Sequence, residues 1–341
     1  MYTSFPKVEL HIHLDCSLSF KVVECLLPGI SQEEYSKMFA APINCCSLND
    51  YIACAQAAIN IMQTKQQLRL ITLDLLAQFD ADNVVYAEIR FAPLQHLKGG
   101  LTPEEVVQEV LNAIQEAKSI NRVVANVILC TLRHFTEQES MTTIKLVERF
   151  KGKGVVGFDI AADEAGFPLD NHVSSFQYSK SKAISCTAHA GEAIGPHSVW
   201  ETLDKLKPNR IGHGIRSIED NKLMRHLIDH DIHLEVCPTS NQLTRVYPTL
   251  AQYPINAVYD SGVSMSISTD GRGISAVDLN QEYTFLTKQF NWNWQHFYRL
   301  NSEAIKHSFA DEEVKLTIQA IIDAFYLVDE NTCSNMIDSG N

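Results

Sequence analysis

Val8-Glu9-Leu10, just past Pro6, is a short apolar run closed by His11-Ile12-His13-Leu14-Asp15, whose two histidines are separated by one residue. Side chains alternate along a β-strand, so His11 and His13 share a face and their imidazoles converge on one point. Converging imidazoles suggest a metal whose remaining ligands come from elsewhere in the chain. Seven further runs follow at 83–91, 122–131, 155–161, 183–189, 210–212, 232–237 and 263–269. Many are apolar at consecutive positions, as strands covered on both faces are. Segments of helical period separate them. Eight strands alternating with helices spell a (β/α)8 barrel, or TIM barrel, whose active site gathers at the C-terminal ends of the strands.

The helices announce their starts. Thr102-Pro103-Glu104-Glu105 carries a capping hydroxyl, a proline at the first helical position and a glutamate at the third. Thr136 to Glu139 repeats the pattern, and Ser217 to Asp220 approximates it before Leu223, Leu227 and Ile228. Over 66–79, Leu68, Ile71, Leu75 and Phe79 form an apolar stripe. Residues 17–64 are too many for a minimal strand-helix unit and read as an inserted helical segment after strand one. Its small apolar face, Leu48, Tyr51, Ile52 and Ala55, fits a lid over the catalytic mouth or equally a packing surface outside the barrel. After the eighth strand, 278–290, 294–309 and 312–327 read as three extra C-terminal helices, the first completing the barrel and the others bracing it. Residues 1–330 are expected to form a single domain, with 331–341 a frayed polar tail.

Composition narrows the function. Of 341 residues, 45% are hydrophobic and 20% charged, ordinary for a globular chain with ample core. Lys and Arg total 28 against 41 Asp and Glu, a net charge of -13 that disfavours nucleic acid and anionic membrane as partners. The nine cysteines are odd in number and form no Cys-x-x-Cys pair, so neither a disulfide framework nor a cysteine zinc site is expected. Cys45-Cys46 reads as two small residues of the insertion, and Trp292 and Trp294 as packing residues. With no basic leader and no run of about 18 apolar residues, the expectation is a cytoplasmic protein.

The barrel rule collects polar residues at strand ends. His11 and His13 end strand one, Thr187-Ala188-His189-Ala190-Gly191-Glu192 strand five, Arg210-Ile211-Gly212-His213-Gly214 strand six and Ser268-Thr269-Asp270 strand eight. Three imidazoles and a carboxylate, His11, His13, His189 and Asp270, make a site for one Zn²⁺ with room for a water. Zinc lowers the pKa of its water toward about 7. His213, near the metal but not needed as a ligand, is placed to orient that water or take its proton. Glu192 is placed to protonate the substrate and then the leaving group.

These segments, with Pro6 to Asp15 and Cys237-Pro238-Thr239-Ser240-Asn241, resemble the adenosine deaminase family of metal-dependent hydrolases in order and rough spacing, from about residue 5 to residue 310. The resemblance implies zinc-dependent hydrolytic deamination of adenosine, and of 2′-deoxyadenosine, to the 6-oxo purine (inosine from adenosine) plus ammonia. Glu192 would face purine N1 and His213 would lie beside the attacking hydroxide. The substrate contacts it implies fall on His13, Asp15, Ala162 and Gly271. Asp15 would meet the ribose 5′-hydroxyl, and a carboxylate there disfavours a 5′-phosphate, so the partner is a small purine nucleoside. Three positions depart from the family pattern. Cys16 stands where glycine is usual, Ala162 replaces the glycine whose amide serves N3, and Gly271, followed by Arg272, replaces the second acid that serves N7. These departures leave room for a related deaminase of adenine, aminodeoxyfutalosine or a modified adenosine. A barrel that binds without catalysing is the alternative from another class.

Overall fold

In the computed structural model, which describes residues 2–42, 45 and 47–326, the apolar runs form eight parallel strands paired in sequence order. They are β1 (Lys7–His13), β2 (Val84–Phe91), β3 (Val124–Leu132), β4 (Val155–Ala161), β5 (Ser185–Ala190), β6 (Arg210–His213), β7 (His233–Val236) and β8 (Met265–Ile267). Closure comes just past β8. The Asp270 N–H donates to the His11 carbonyl at 3.0 Å, and the His13 N–H donates to the Asp270 carbonyl at 2.7 Å. The pair of bonds that seals the barrel therefore fixes three candidate ligands in register. With helices between the strands, the chain is a (β/α)8 TIM barrel, and its main apolar core lies between strands and helices.

Strand ends differ from the sequence reading by a few residues. Ala183 turns with φ +49° and falls outside β5. β8 has three residues because Ser268–Asp270 leave the ladder to bond β1. Cys237 begins the short helix Pro238–Leu243.

The capping boxes at Thr102 and Thr136 are both present. The Thr102 hydroxyl accepts from the Glu105 N–H at 3.3 Å, and the Glu105 carboxylate accepts from the Thr102 N–H at 3.0 Å. Ser217 does not cap its helix. Gly214, at φ +67°, turns the chain into a 3-10 segment that consumes Ile215–Glu219, and Asp220 caps Asn221–Asp229 by accepting from the Lys222 N–H at 2.8 Å.

The insertion folds as α1 (Phe20–Leu26), α2 (Gln32–Phe39) and α3 (Leu48–Asn60), and α4 (Lys65–Ala81) then leads to β2. Of the two placements open to the insertion, α3 takes the one over the mouth. Tyr51 and Ala55 are buried with Cys45 and Ile274 in a small apolar cluster apart from the main core. The Tyr51 hydroxyl shares a 2.8 Å hydrogen bond with Ser275 beyond β8. Three C-terminal helices follow, Leu279–Phe290, Trp294–His307 and Glu312–Tyr326. Trp292 is buried and donates its indole N–H to Asn256 at 2.7 Å. Leu327, the expected tail 331–341 and Cys46 lie outside the described residues.

Candidate active site

Four of the sequence-derived residues meet at the C-terminal end of the barrel. His13 Nε2 lies 3.1 Å from His189 Nε2 and 3.5 Å from Asp270 Oδ1, and His11 Nε2 lies 3.4 Å from the same oxygen. His213 joins them: one ligand atom each from His11, His189, His213 and Asp270 falls within 4.8 Å of the others, and all four residues are buried. The convergent group thus has five members.

Carboxylates behind the histidines set their tautomers. His11 Nδ1 donates to Glu235 Oε2 at 2.8 Å, and its Nε2 is buried without a hydrogen-bond partner among the described residues. His189 Nδ1 donates to Asp159 at 3.2 Å. Each ring therefore turns a bare Nε2 toward the group, the form in which imidazole binds a metal. Ser240 Oγ donates to Asp270 Oδ2 at 2.7 Å and leaves Oδ1 facing the histidines. The orphaned His11 Nε2 and its imidazole neighbours, beside an anchored carboxylate, fit a divalent cation.

Arg90 bridges the two anchors, donating to Asp159 at 2.9 Å and to Glu235 at 2.7 Å, while Arg210 holds the other Glu235 oxygen at 2.6 Å. All four charges are at most 1% exposed. Burial pushes the Glu235 carboxyl up, but Arg90 and Arg210 outweigh it and hold the group well below its ordinary range. The sequence reading missed Glu235 and the anchoring role of Asp159. The available signal was an acid inside an apolar strand, which needs a buried partner.

Glu192 and His213 face each other, with Oε2 and Nε2 3.4 Å apart. Burial, then the charges of Asp270 and Glu164, push the Glu192 carboxyl well above its usual range, toward the protonated form. Burial, with His11 adding to it, keeps His213 neutral. Its tautomer follows from a relay: the Tyr253 hydroxyl donates to Asn241 Oδ1 at 3.1 Å, and Asn241 Nδ2 donates to His213 Nδ1 at 3.2 Å. The ring hydrogen then sits on Nε2, toward Glu192 and the metal-type group. A nitrogen carrying hydrogen cannot ligate, so in this tautomer His213 does not offer Nε2 to a metal.

The strand ends turn sharply to aim these side chains. His213 and Asp270 have φ of +60° and +63°, a conformation rare for residues with a Cβ. Ala162 has φ +79°, where glycine would be unstrained. The pocket encloses about 900 Å³ out to its open mouth. His13, Asp15, Cys16, Ala162, His189, Glu192, His213 and Asp270 line it together with the α3 residues Leu48, Tyr51, Ile52 and Ala55. No lysine or arginine is among the described lining residues.

Gly271 lies behind the wall. A Cβ there would come within 2.6 Å of Cys16 Cβ and 2.9 Å of the Tyr51 hydroxyl. Arg272 turns away from the pocket, pairing with Glu9 at 2.6 Å and Asp82 at 2.9 Å.

A family model described as Adenosine deaminase matches residues 6–325. The chain belongs to the adenosine deaminase family. Among its relatives, the adenosine deaminase of Clostridium acetobutylicum is 32% identical over 94% of this chain and 98% of its own length. That of Lactococcus lactis subsp. lactis is 35% identical over 91% and 90%. Solved structures share the fold at lower identity. Arabidopsis ADAL complexed with IMP superposes with a TM-score of 0.85 at 23% identity, covering 95% of this chain and 97% of that one. An adenine deaminase of Arthrobacter aurescens gives 0.85 at 24%, covering 94% and 99%. A zinc-bound amidohydrolase of Burkholderia ambifaria gives 0.87 at 18%, covering 98% and 94%. The chain is thus a hydrolytic deaminase of this family, with a buried group of histidines and an aspartate suited to a metal ion.

Proposed function

We propose that this enzyme deaminates adenosine and 2′-deoxyadenosine to the corresponding inosines and ammonia, with one Zn²⁺ held by His11, His13, His189 and Asp270. One observation supports this reading above the rest: the Glu192 carboxyl, which burial pushes well above its usual range, shares a roofed pocket with the metal-type group and His213, and the described residues lining that pocket include no lysine or arginine to meet a phosphate. Zinc there supplies a hydroxide nucleophile near neutral pH. Glu192 gives its proton to purine N1 as oxygen adds at C6; its carboxylate then takes the proton of the new C6 hydroxyl and passes it to the amino group, so that the C6–N bond breaks, ammonia leaves and the 6-oxo purine forms. His213 directs its Nε2–H at the incoming oxygen, which makes it an orienting group; with Nδ1 engaged by Asn241, it is not set to take the proton.

Asp15, whose carboxyl burial pushes up to about 6, meets the ribose 5′-hydroxyl. A 5′-phosphate in its place would face that acid with no lysine or arginine among the described lining residues to neutralise it. His13 and Ala162 bound the purine alongside α3. Gly271 leaves N7 to a water or a backbone amide. The scattered free thiols support a cytoplasmic setting, and we assign residues 1–330 to one domain.

The test is ammonia release from adenosine, 2′-deoxyadenosine, adenine, AMP and aminodeoxyfutalosine, with zinc measured on the same sample. The two nucleosides are expected to give the highest kcat/KM. A higher value for adenine or AMP overturns the substrate assignment, and no release from any of them overturns the deaminase reading.

A further inference from the structure

Glu164 lies in the loop after β4, outside the pocket lining, and is 4% exposed. Oε1 accepts from the Gly191 N–H at 2.7 Å and from Ser198 Oγ at 2.5 Å. Oε2 accepts from the N–H groups of Glu192 at 3.1 Å, Ala193 at 2.6 Å and Ile194 at 3.0 Å. Five donors converge on the two oxygens. Four of the donors are consecutive backbone amides, and one belongs to Glu192 itself.

This stretch needs holding. It joins β5 to the helix Pro196–Lys205, starts from Gly191 at φ +72° and emerges into solvent at Ala193. Gly191 is confined: a Cβ there would come within 2.6 Å of Val199 Cγ2. Beyond it the turn makes no ladder bonds, and amides 191–194 find their acceptor in one side chain from the neighbouring strand's loop. Among the described residues, the only polar contact that reaches the Glu192 carboxyl apart from His213 is a donation from Thr244 Oγ1 to Oε1 at 3.3 Å, too weak to aim the group unaided.

We propose that Glu164 is a positioning residue for the proton transfer: by gathering the amides of residues 191–194 it fixes the backbone that aims the Glu192 carboxyl at the purine, without touching substrate or metal. The inference rests on the reading of Glu192 as the proton donor. A displacement of about 1 Å at a reacting group costs on the order of a hundredfold in rate, which sets the scale of the effect.

Steady-state kinetics of the metal-loaded enzyme on adenosine test it with four variants: Glu164→Gln, Glu164→Asp, Glu192→Gln and the Glu164→Gln/Glu192→Gln pair. Glu164→Gln turns an NH₂ toward backbone donors and is expected to lower kcat by about 30- to 100-fold, with KM changed less than about threefold and metal content unchanged. On the Glu192→Gln background the same substitution should cost less than about threefold, because no proton remains to be aimed. Glu164→Asp keeps the charge and loses reach, giving a kcat loss of about 5- to 10-fold, and it carries the test alone if Glu164→Gln does not fold.

A Glu164→Gln or Glu164→Asp enzyme with kcat within about twofold of the parent overturns the clamp. So does an equal loss on both backgrounds, which marks a general structural disturbance. Near-normal turnover of Glu192→Gln overturns the proton-donor reading and this inference with it, whereas an inactive Glu192→Gln beside a fully active Glu164→Gln overturns the clamp alone.

Discussion

Glu192 and His213 sit 3.4 Å apart, yet their surroundings push them toward opposite tasks. Burial penalises charge on both, raising the pKa of the acid and lowering that of the base. Both shifts favour the neutral forms, a carboxylic acid able to give a proton and an imidazole N–H able to steer an oxygen. Glu192→Gln preserves shape and hydrogen bonding but has no proton to give. It should bind metal normally and lose about 10²- to 10⁴-fold in kcat. Because the acid works only while protonated, turnover of the parent should fall as pH rises through the raised Glu192 pKa, and residual turnover of the variant should lack that limb. Near-normal activity, or an unchanged alkaline limb in the variant, rejects the assignment.

At the scale of elements, the departures Cys16, Gly271 and the roof helix α3 turn out to be one contact. Gly271 has no room for a side chain because Cys16, from the turn after β1, and Tyr51, from α3, occupy the space. Gly271→Ala should therefore overpack this junction and lower stability by about 1–3 kcal/mol, and adding Cys16→Gly should recover part of the loss in a denaturation series. Strictly additive effects would show that the residues do not compete for volume. Sequence could not reveal this, since positions 16, 51 and 271 meet only when β8 closes on β1. His11, His13, His189 and Asp270 were legible because each ends an apolar run, and one rule about barrels brings strand ends together. Glu235 and Asp159 were not: inside their strands they carry no marker of the Arg90 bridge that joins them. Ser217 misled for a local reason, as a cap pattern also fits a turn begun by a left-handed glycine.

Across the whole molecule, the helix Leu279–Phe290 ties the C-terminal brace to the catalytic face through a single buried acid. Glu282 Oε1 accepts from the Thr239 N–H at 3.0 Å, and Oε2 is buried with no hydrogen-bond partner among the described residues. Thr239 lies in the first turn of the short helix whose Ser240 bonds Asp270 and whose Asn241 bonds His213. Burial, with the charges of Glu9 and Asp278 adding, pushes this carboxyl up to about 8. In the unfolded chain it titrates near 4.5. Between those values the unfolded state loses the proton and the folded state keeps it, so folding stability from this group is full below about pH 4.5, declines as pH rises and is gone above about 8. Glu282→Gln removes the titration and leaves only a pH-independent cost for an unpaired amide. The stability of Glu282→Gln relative to the parent should thus rise from pH 5 to pH 8 by on the order of a few kcal/mol and then level off, measured by urea unfolding of metal-loaded protein at fixed ionic strength. A difference that does not change over that interval would mean that Glu282 ionises in the folded state as readily as in the unfolded one, and that the link between brace and catalytic face is insensitive to pH.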